Sequence, residues 1–122
     1  MAVLRDSGQG IEVFLVKRNA KTEFFPHAHV FPGGRVDPED ADAVLVGGER
    51  DRVRMDCPDA AAYQVAAIRE TYEEAGILLA EGEGSTAIRE AVHAGRISLG
   101  EAAHREGWVL NAEALVYWSW WI

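Results

Sequence analysis

Cysteine is nearly absent from the chain, since Cys57 is its single example among 122 residues. One cysteine excludes an internal disulfide, and with it the class of small disulfide-stapled secreted scaffolds. A lone thiol suits a reducing compartment, so we predict a cytoplasmic location. Cys57 stands directly before Pro58, where its expected role is packing at the start of a helix.

Long apolar runs and basic residues are also scarce. No stretch approaches the ~20 apolar residues needed to cross a bilayer, and the N-terminus lacks the layout of a signal peptide. The chain has 12 Lys and Arg against 20 Asp and Glu, for a formal net charge of −8. A protein that reads a phosphate backbone needs a basic surface. We therefore predict neither nucleic acid nor a membrane as partner.

What remains is the composition of one ordinary globular domain over residues 1–122, with 48% hydrophobic and 26% charged residues. Alternating and helical patterns predict an α/β fold. The expected elements are a hairpin of strands at 2–5 and 11–17 joined by a turn at 6–10, helices at 57–75, 86–94 and 99–105, and an aromatic strand at 114–122. The strand at 11–17 is expected to bury at least one face, and Ser98 with Glu101 forms a capping-box pattern at the start of the third helix. The segment 41–57 is expected to be a surface excursion with a mobile loop or a short helix. The two later helices are expected to pack away from any catalytic face, with His93 and His104 on the surface.

The helix at 57–75 carries the main chemical signal. Gly76 suits the left-handed residue just after a helix. At helical spacing one apolar stripe contains Ala61, Val65, Ile68 and Tyr72. Glu70, Glu73 and Glu74 are three and four positions apart, so they share a patch that the helical wheel puts opposite the stripe.

Three carboxylates in one turn repel one another, and the C-terminal end of a helix dipole disfavours them further. A divalent cation would remove both penalties, and carboxylate oxygens are the ligands that Mg²⁺ or Mn²⁺ prefers. The alternative is an acidic face that is simply solvated and holds no ligand.

The string Arg69-Glu70-x-x-Glu73-Glu74-x-Gly76-Ile77 resembles the second half of the Nudix box, although Thr71 stands where the family usually has an aliphatic residue. The first half lies at 31–40, with Asp40 where the family has glutamate, counting from Gly34. A long insertion, residues 41–57, separates the halves. That insertion and the lead-in at 25–34 resemble the subgroup related to peroxisomal coenzyme A diphosphatases.

The resemblance implies an α/β/α sandwich with a mixed sheet and a metal-dependent hydrolase that cleaves a diphosphate linkage. The substrate would be a small nucleoside diphosphate derivative, with coenzyme A or an acyl-CoA favoured by the subgroup. By the same resemblance, Glu73 and Glu74 hold Mg²⁺ or Mn²⁺, Glu70 is a ligand or the base, and the Gly34 carbonyl joins the metal shell. Arg69 would orient a carboxylate, and Asp40 or Glu39 would be an outer member.

Two departures keep a second function open. Asp40 replaces the family's glutamate in the first half of the motif, and the fold is expected to be incomplete at its C-terminal end. Acidic Glu23 stands where the subgroup has a basic residue before the glycines, which counts against coenzyme A as the substrate. An aromatic strand at 114–122 without a neighbour would favour a homo-oligomer through that strand. The alternative function is therefore a catalytically silent Nudix-like binding or assembly module.

Overall fold

A computed structural model describes residues 1–18 and 25–119. Its strands are β1 (Val3–Asp6), β2 (Ile11–Phe14), β3 (Val16–Lys17), β4 (His29–Val30), β5 (Leu45–Val46), β6 (Ala80–Glu81) and β7 (Val109–Asn111). Its α-helices are α1 (Glu49–Met55), α2 (Ala60–Ala75), α3 (Thr86–His93) and α4 (Leu99–Glu106), and a 3₁₀ helix covers Pro38–Asp42. None of the helices in these ranges is both long and apolar enough to cross a membrane.

The strands form two hairpin-like pairs and one mixed sheet. β1 pairs with β2, and β3 with β4, both antiparallel. In the third sheet β7 is central, parallel to β5 on one side and antiparallel to β6 on the other. The α/β class with a mixed sheet, expected from the sequence, is confirmed.

Helix α2 is the centre of the hydrophobic core. Val65, Ile68 and Tyr72 are almost fully buried, and the ring of Tyr72 meets Trp108 edge to face at 5.7 Å between centroids. The remaining buried members come from α3, α4 and β7: Val92, Leu99, Ala102, Ala103 and Leu110. Burying each large aliphatic side chain contributes about 1.5–3 kcal/mol, so this cluster fixes α2 against the later helices.

The predicted apolar stripe of α2 is wrong at one position, because Ala61 is exposed while its neighbour Ala62 is buried. The reason is a second covering layer on the first turns of α2. The side-chain amide of Gln64 donates to the Gly48 carbonyl at 3.1 Å and accepts from Arg52 at 2.8 Å. These contacts place α1 against α2 and rotate the buried face toward Gln64.

The segment 41–57 was expected to be a surface excursion holding a mobile loop or a short helix. The short helix is present as α1, but the excursion is not confined to the surface, because β5 joins the mixed sheet beside β7. The Glu113 carboxylate accepts the Gly48 amide at 3.1 Å and secures the segment from the other side. Local patterning gave no sign of this pairing, which joins distant parts of the chain.

Two expectations about strands are corrected. Strand β2 was expected to bury one face, yet all four of its residues are exposed, because no other element among residues 1–18 and 25–119 covers the β1–β2 hairpin. Residues 114–119 form no strand, since only Val109–Asn111 pairs with the sheet. Trp118 is 88% exposed. The rest of the predicted strand, 120–122, and Glu23 lie outside the described residues.

Candidate active site

The last turns of α2 carry the three glutamates, and the helix ends immediately after them. Gly76 has φ of 71°, the left-handed conformation in which only glycine avoids a steric penalty, and its amide donates to the Tyr72 carbonyl at 2.9 Å. Glu70 and Glu73 are not freely solvated, since their side chains are 14% and 11% exposed. The patch therefore lies under other parts of the chain, and does not point openly to solvent.

One covering element is the glycine loop. The Gly33 amide donates to the Glu74 carboxylate at 3.0 Å. Gly34 lies against Glu70 so closely that an added Cβ would stand 2.7 Å from the carboxyl carbon of Glu70. The two halves of the motif therefore meet in space across the insertion, as expected for the glycine loop.

Arg69 is the centre of an ion-pair network and is itself buried. It holds Asp40 through two parallel bonds, Nε to Oδ1 at 3.0 Å and Nη2 to Oδ2 at 3.1 Å. Its Nη1 donates to Glu70 at 2.8 Å and to Glu73 at 3.3 Å. Asp37 is a further ion-pair partner at 3.4 Å. Arg69 thus contacts four carboxylate groups at once and holds them close to one another.

The charges in this network shift two pKa values. Burial by itself would lower the pKa of Arg69, but the hydrogen bonds and charges of Asp40 and Glu70 outweigh it and raise that pKa above its ordinary value. Arg69 therefore stays charged at any ordinary pH. For Glu70, burial is the main cause of a raised pKa, opposed by Arg69 and supported by the nearby negative charges of Glu73 and Glu74. A raised pKa makes the Glu70 carboxylate a stronger proton acceptor than an ordinary glutamate.

Helix α3 covers the other side of the carboxylates, contrary to the expectation that it packs away from them. Arg89 Nε donates to the Glu73 carbonyl at 2.9 Å, and its Nη2 donates to the Glu74 carbonyl at 3.2 Å. His93 lies one turn further, with Nδ1 3.3 Å from the Glu73 carboxylate, while its ring is largely exposed. The spacing of four places both on one face of α3, but nothing in the local pattern indicates which helix that face meets.

Asp40 and Glu39 differ sharply. Asp40 is buried in the Arg69 network and accepts the Asp37 amide at 2.8 Å, whereas Glu39 is exposed. Glu39 lies at the edge of a cavity of about 700 Å³ that opens beside Glu73. The 3₁₀ helix lines one part of this cavity, and the segment from Val92 to Arg105 lines another. Asp40 is thus a partner of Arg69, and Glu39 is a rim residue.

The carboxylate oxygens of this site are the type of ligand that a hard divalent cation binds. Four carboxylates contact the single charge of Arg69, from Asp37, Asp40, Glu70 and Glu73, which leaves negative charge in excess. Oxygen ligands of this type suit Mg²⁺ or Mn²⁺. In the conformations described for residues 1–18 and 25–119, no three His, Cys, Asp or Glu side chains converge on one metal position. Each glutamate is instead held by a partner within the chain.

This combination of a glycine loop, a buried arginine and a glutamate-bearing helix end belongs to a known class. The model of the NUDIX domain matches residues 1–96, which include all of these groups, and the chain belongs to that family.

Sequence similarity to individual proteins is consistent with this family assignment. The chain is 32% identical over 95 residues to acyl-coenzyme A diphosphatase NUDT19 of Gallus gallus, and 33% identical over 95 residues to the protein of that name in Xenopus laevis. Each alignment covers 56% of this chain and 25% of the relative, so the chain spans a quarter of their length.

Among solved structures, the chain resembles a NUDIX hydrolase from Alicyclobacillus acidocaldarius with a TM-score of 0.70 and 24% identity. The superposition covers 90% of this chain and 54% of that one. The likeness shows a common fold.

Proposed function

We propose that this domain is a divalent-metal-dependent hydrolase that cleaves a diphosphate linkage in a small nucleoside diphosphate derivative. The observation that carries the proposal is the closure of the glycine loop onto the glutamates of α2, with Gly33 on Glu74 and Gly34 against Glu70. This closure brings the two halves of the motif into contact across the insertion, which supports the proposal.

The proposed roles of the individual residues are those that the resemblance to the family implies. Glu73 and Glu74 would hold Mg²⁺ or Mn²⁺, together with the Gly34 carbonyl. Glu70, with its raised pKa, would be a further ligand or the group that takes a proton from the attacking water. Arg69 would orient Asp40, Glu70 and Glu73 through its hydrogen bonds to them.

Metal ions bound here would neutralise the phosphate charge and lower the pKa of a bound water. The chain itself contributes orientation and partial exclusion of water, because Glu70 and Glu73 are mostly covered. Such cover strengthens every charge interaction at the reacting phosphorus.

Coenzyme A or an acyl-CoA is the substrate we propose within this class. The support is the similarity to acyl-coenzyme A diphosphatases, joined to the long insertion between the halves of the motif. The cavity beside Glu73, about 700 Å³, offers room for an organic group next to the reacting bond.

The test is a Mn²⁺-dependent assay on coenzyme A, an acyl-CoA and nucleoside diphosphate sugars, with the two products of diphosphate cleavage as readout. The double substitution Glu73→Gln and Glu74→Gln should abolish turnover and weaken Mn²⁺ binding in titration calorimetry. Glu81→Gln, an exposed carboxylate on β6, is the matched control. Equal Mn²⁺ binding by the double variant and the parent protein would contradict the proposal.

The alternative is a NUDIX-like binding or assembly module without turnover. It is favoured by the arrangement of the glutamates, none of which joins a group of three that could hold a metal in the described part of the chain. Absence of turnover of all these substrates by the folded protein, with or without Mn²⁺ binding, would select this alternative.

Self-association is a separate proposal. Val116 and Trp118 are 65% and 88% exposed, and burying large apolar side chains between two copies would favour a homo-oligomer through this segment. Sedimentation of the chain and of Trp118→Ser would test it, since a parent protein that stays monomeric would contradict it. A cytoplasmic location, expected from the single cysteine, stays a prediction.

A further inference from the structure

Negative charge accumulates at the C-terminal end of α2, and α2 has no positive charge there to balance it. The last carbonyls of a helix lack partners within it and carry the negative end of its dipole. Glu73 and Glu74 add two more negative charges at this point, and the last turn of α2 contains no basic residue. A turn in this state would fray, and the glutamate side chains would move with it.

Arg89 supplies the missing positive charge from another helix. Its guanidinium donates to two successive carbonyls, those of Glu73 at 2.9 Å and Glu74 at 3.2 Å. It also lies against Gly76, where an added Cβ would meet its Nη1 at 3.4 Å. One planar group therefore spans the last turn of α2 and the residue that ends it.

Arg89 is held in place by a second contact between the same helices. The Tyr72 hydroxyl donates to the Ser85 carbonyl at 2.8 Å, and the Ser85 side chain caps α3 by accepting the Ile88 amide. The Arg89 amide in turn donates to the Ser85 carbonyl at 2.9 Å. The start of α3 is thus fixed to α2 one turn before Arg89, so the guanidinium arrives at a defined position.

We infer that Arg89 is a positioning residue for the proposed metal site: it fixes the backbone of Glu73 and Glu74 and so the directions in which their carboxylates project. Arg89 lies outside both halves of the motif, and its guanidinium donates to the main-chain carbonyls of Glu73 and Glu74, so it acts through the glutamates. The inference rests on the proposed function, because the glutamates matter only if they bind metal.

The test compares the parent protein with Arg89→Gln and Arg89→Lys. Arg89→Gln removes the charge and the fork, and Arg89→Lys keeps the charge but cannot bridge two carbonyls in a plane. Arg5→Gln, the same change on the exposed β1–β2 hairpin, is the matched control. Thermal unfolding of each variant verifies that binding is measured on folded protein.

Two readouts are used. Mn²⁺ affinity should fall on the order of tenfold or more in Arg89→Gln, and less in Arg89→Lys, as for other residues that orient metal ligands. In metal-free protein, hydrogen exchange at residues 75–77 should speed up on the order of tenfold in Arg89→Gln while the core amides of α2 keep their protection. The Arg5→Gln control should match the parent in both.

The outcomes separate this inference from the proposed function. Parent-like Mn²⁺ affinity in Arg89→Gln would overturn the inference even if the enzyme is active. Mn²⁺ binding by the parent without turnover would overturn only the proposed hydrolase. The comparison of Mn²⁺ affinity between the parent and the Arg89 variants would still test the role of Arg89. If Arg89→Lys bound Mn²⁺ as tightly as the parent, a positive charge alone would be sufficient, and the positioning role of the guanidinium would be overturned. Absence of Mn²⁺ binding in the parent would overturn both.

Discussion

Charged groups are enclosed at the C-terminal end of α2, whereas apolar groups are left open to water on the β1–β2 hairpin. Arg69 and Asp40 are 7% and 3% exposed, while Leu4 and Ile11 are 61% and 75% exposed. From hydropathy alone, the two charged side chains would be expected on the surface and the two apolar side chains in the interior. What decides burial here is the number of partners: the guanidinium has several carboxylates around it, and the hairpin has no covering layer in the part of the chain that the structure describes.

The difference predicts an uneven distribution of stability. A buried charge that loses its partner costs far more than an exposed side chain that loses a neighbour. Substitutions around Arg69 should therefore have large effects on the free energy of unfolding, and substitutions on the hairpin should have small ones.

Arg69→Leu should produce the largest effect, because it leaves Asp40 buried without a counter-charge. We expect a loss of about 3–5 kcal/mol in the free energy of unfolding, measured by urea titration. Adding Asp40→Leu to Arg69→Leu should recover part of that loss, since the uncompensated charge is then removed. A loss below about 1 kcal/mol for Arg69→Leu would contradict the claim that the enclosed charges contribute more stability than the exposed hairpin.

Tyr72→Phe should cost about 1 kcal/mol, the usual value of one intramolecular hydrogen bond, because the Ser85 carbonyl loses one of its two donors and keeps only the Arg89 amide. Burial raises the pKa of Tyr72 in the folded protein, so its contribution is complete below its ordinary value near 10 and is lost as pH rises through the higher folded pKa. The parent should therefore lose stability above about pH 10 more steeply than Tyr72→Phe. Parallel curves of unfolding free energy between pH 9 and pH 11 would contradict this.

Gly34→Ala should change stability by less than about 1 kcal/mol, since the atoms in its way are the flexible end of Glu70. Its main effect should be functional, because Glu70 must leave its place beside Arg69. We expect Mn²⁺ affinity or turnover to fall on the order of tenfold with little change in melting temperature. Unchanged affinity and turnover would show that Glu70 does not need its present position.

Arg5→Gln should have the smallest effect. Arg5 Nε donates to Glu12 at 2.9 Å, but the two side chains are 77% and 51% exposed, so water replaces the contact readily. We expect a change below about 0.5 kcal/mol in the free energy of unfolding, and salt should reduce it further. A larger change would show that the hairpin is covered in solution.

Local signals in the sequence were sufficient for several elements. Gly76 ends α2 as predicted, and Ser98 caps α4 together with Glu101 as the capping-box pattern indicated. The turn at 6–10 joins β1 to β2 in the expected hairpin. Each of these features depends on residues within about four positions of one another, which is the range of sequence patterns.

Features that depend on distant partners were not predictable. The contact of Arg89 with α2 requires knowledge of which helix α3 meets, and the charge of Arg89 looks like ordinary surface charge in the sequence. Likewise, nothing in Leu45–Val46 indicated its pairing with β7. The resemblance identified the glutamates and the glycine loop, and the residues that hold the glutamates in position came only from the structure.

The parallel pairing of β5 with β7 also sets the order in which the molecule can assemble. Gly48 and Glu113, which hydrogen-bond beside this pair, are 65 residues apart in the chain. A ribosome must therefore deliver β7 before β5 gains its neighbour, whereas α2 can form earlier from local contacts. We expect this closure to limit the folding rate, so that Leu110→Ala slows refolding in stopped-flow experiments while Ala102→Gly on α4 mainly speeds unfolding. Equal refolding rates for Leu110→Ala and the parent would place the closure after the rate-limiting step.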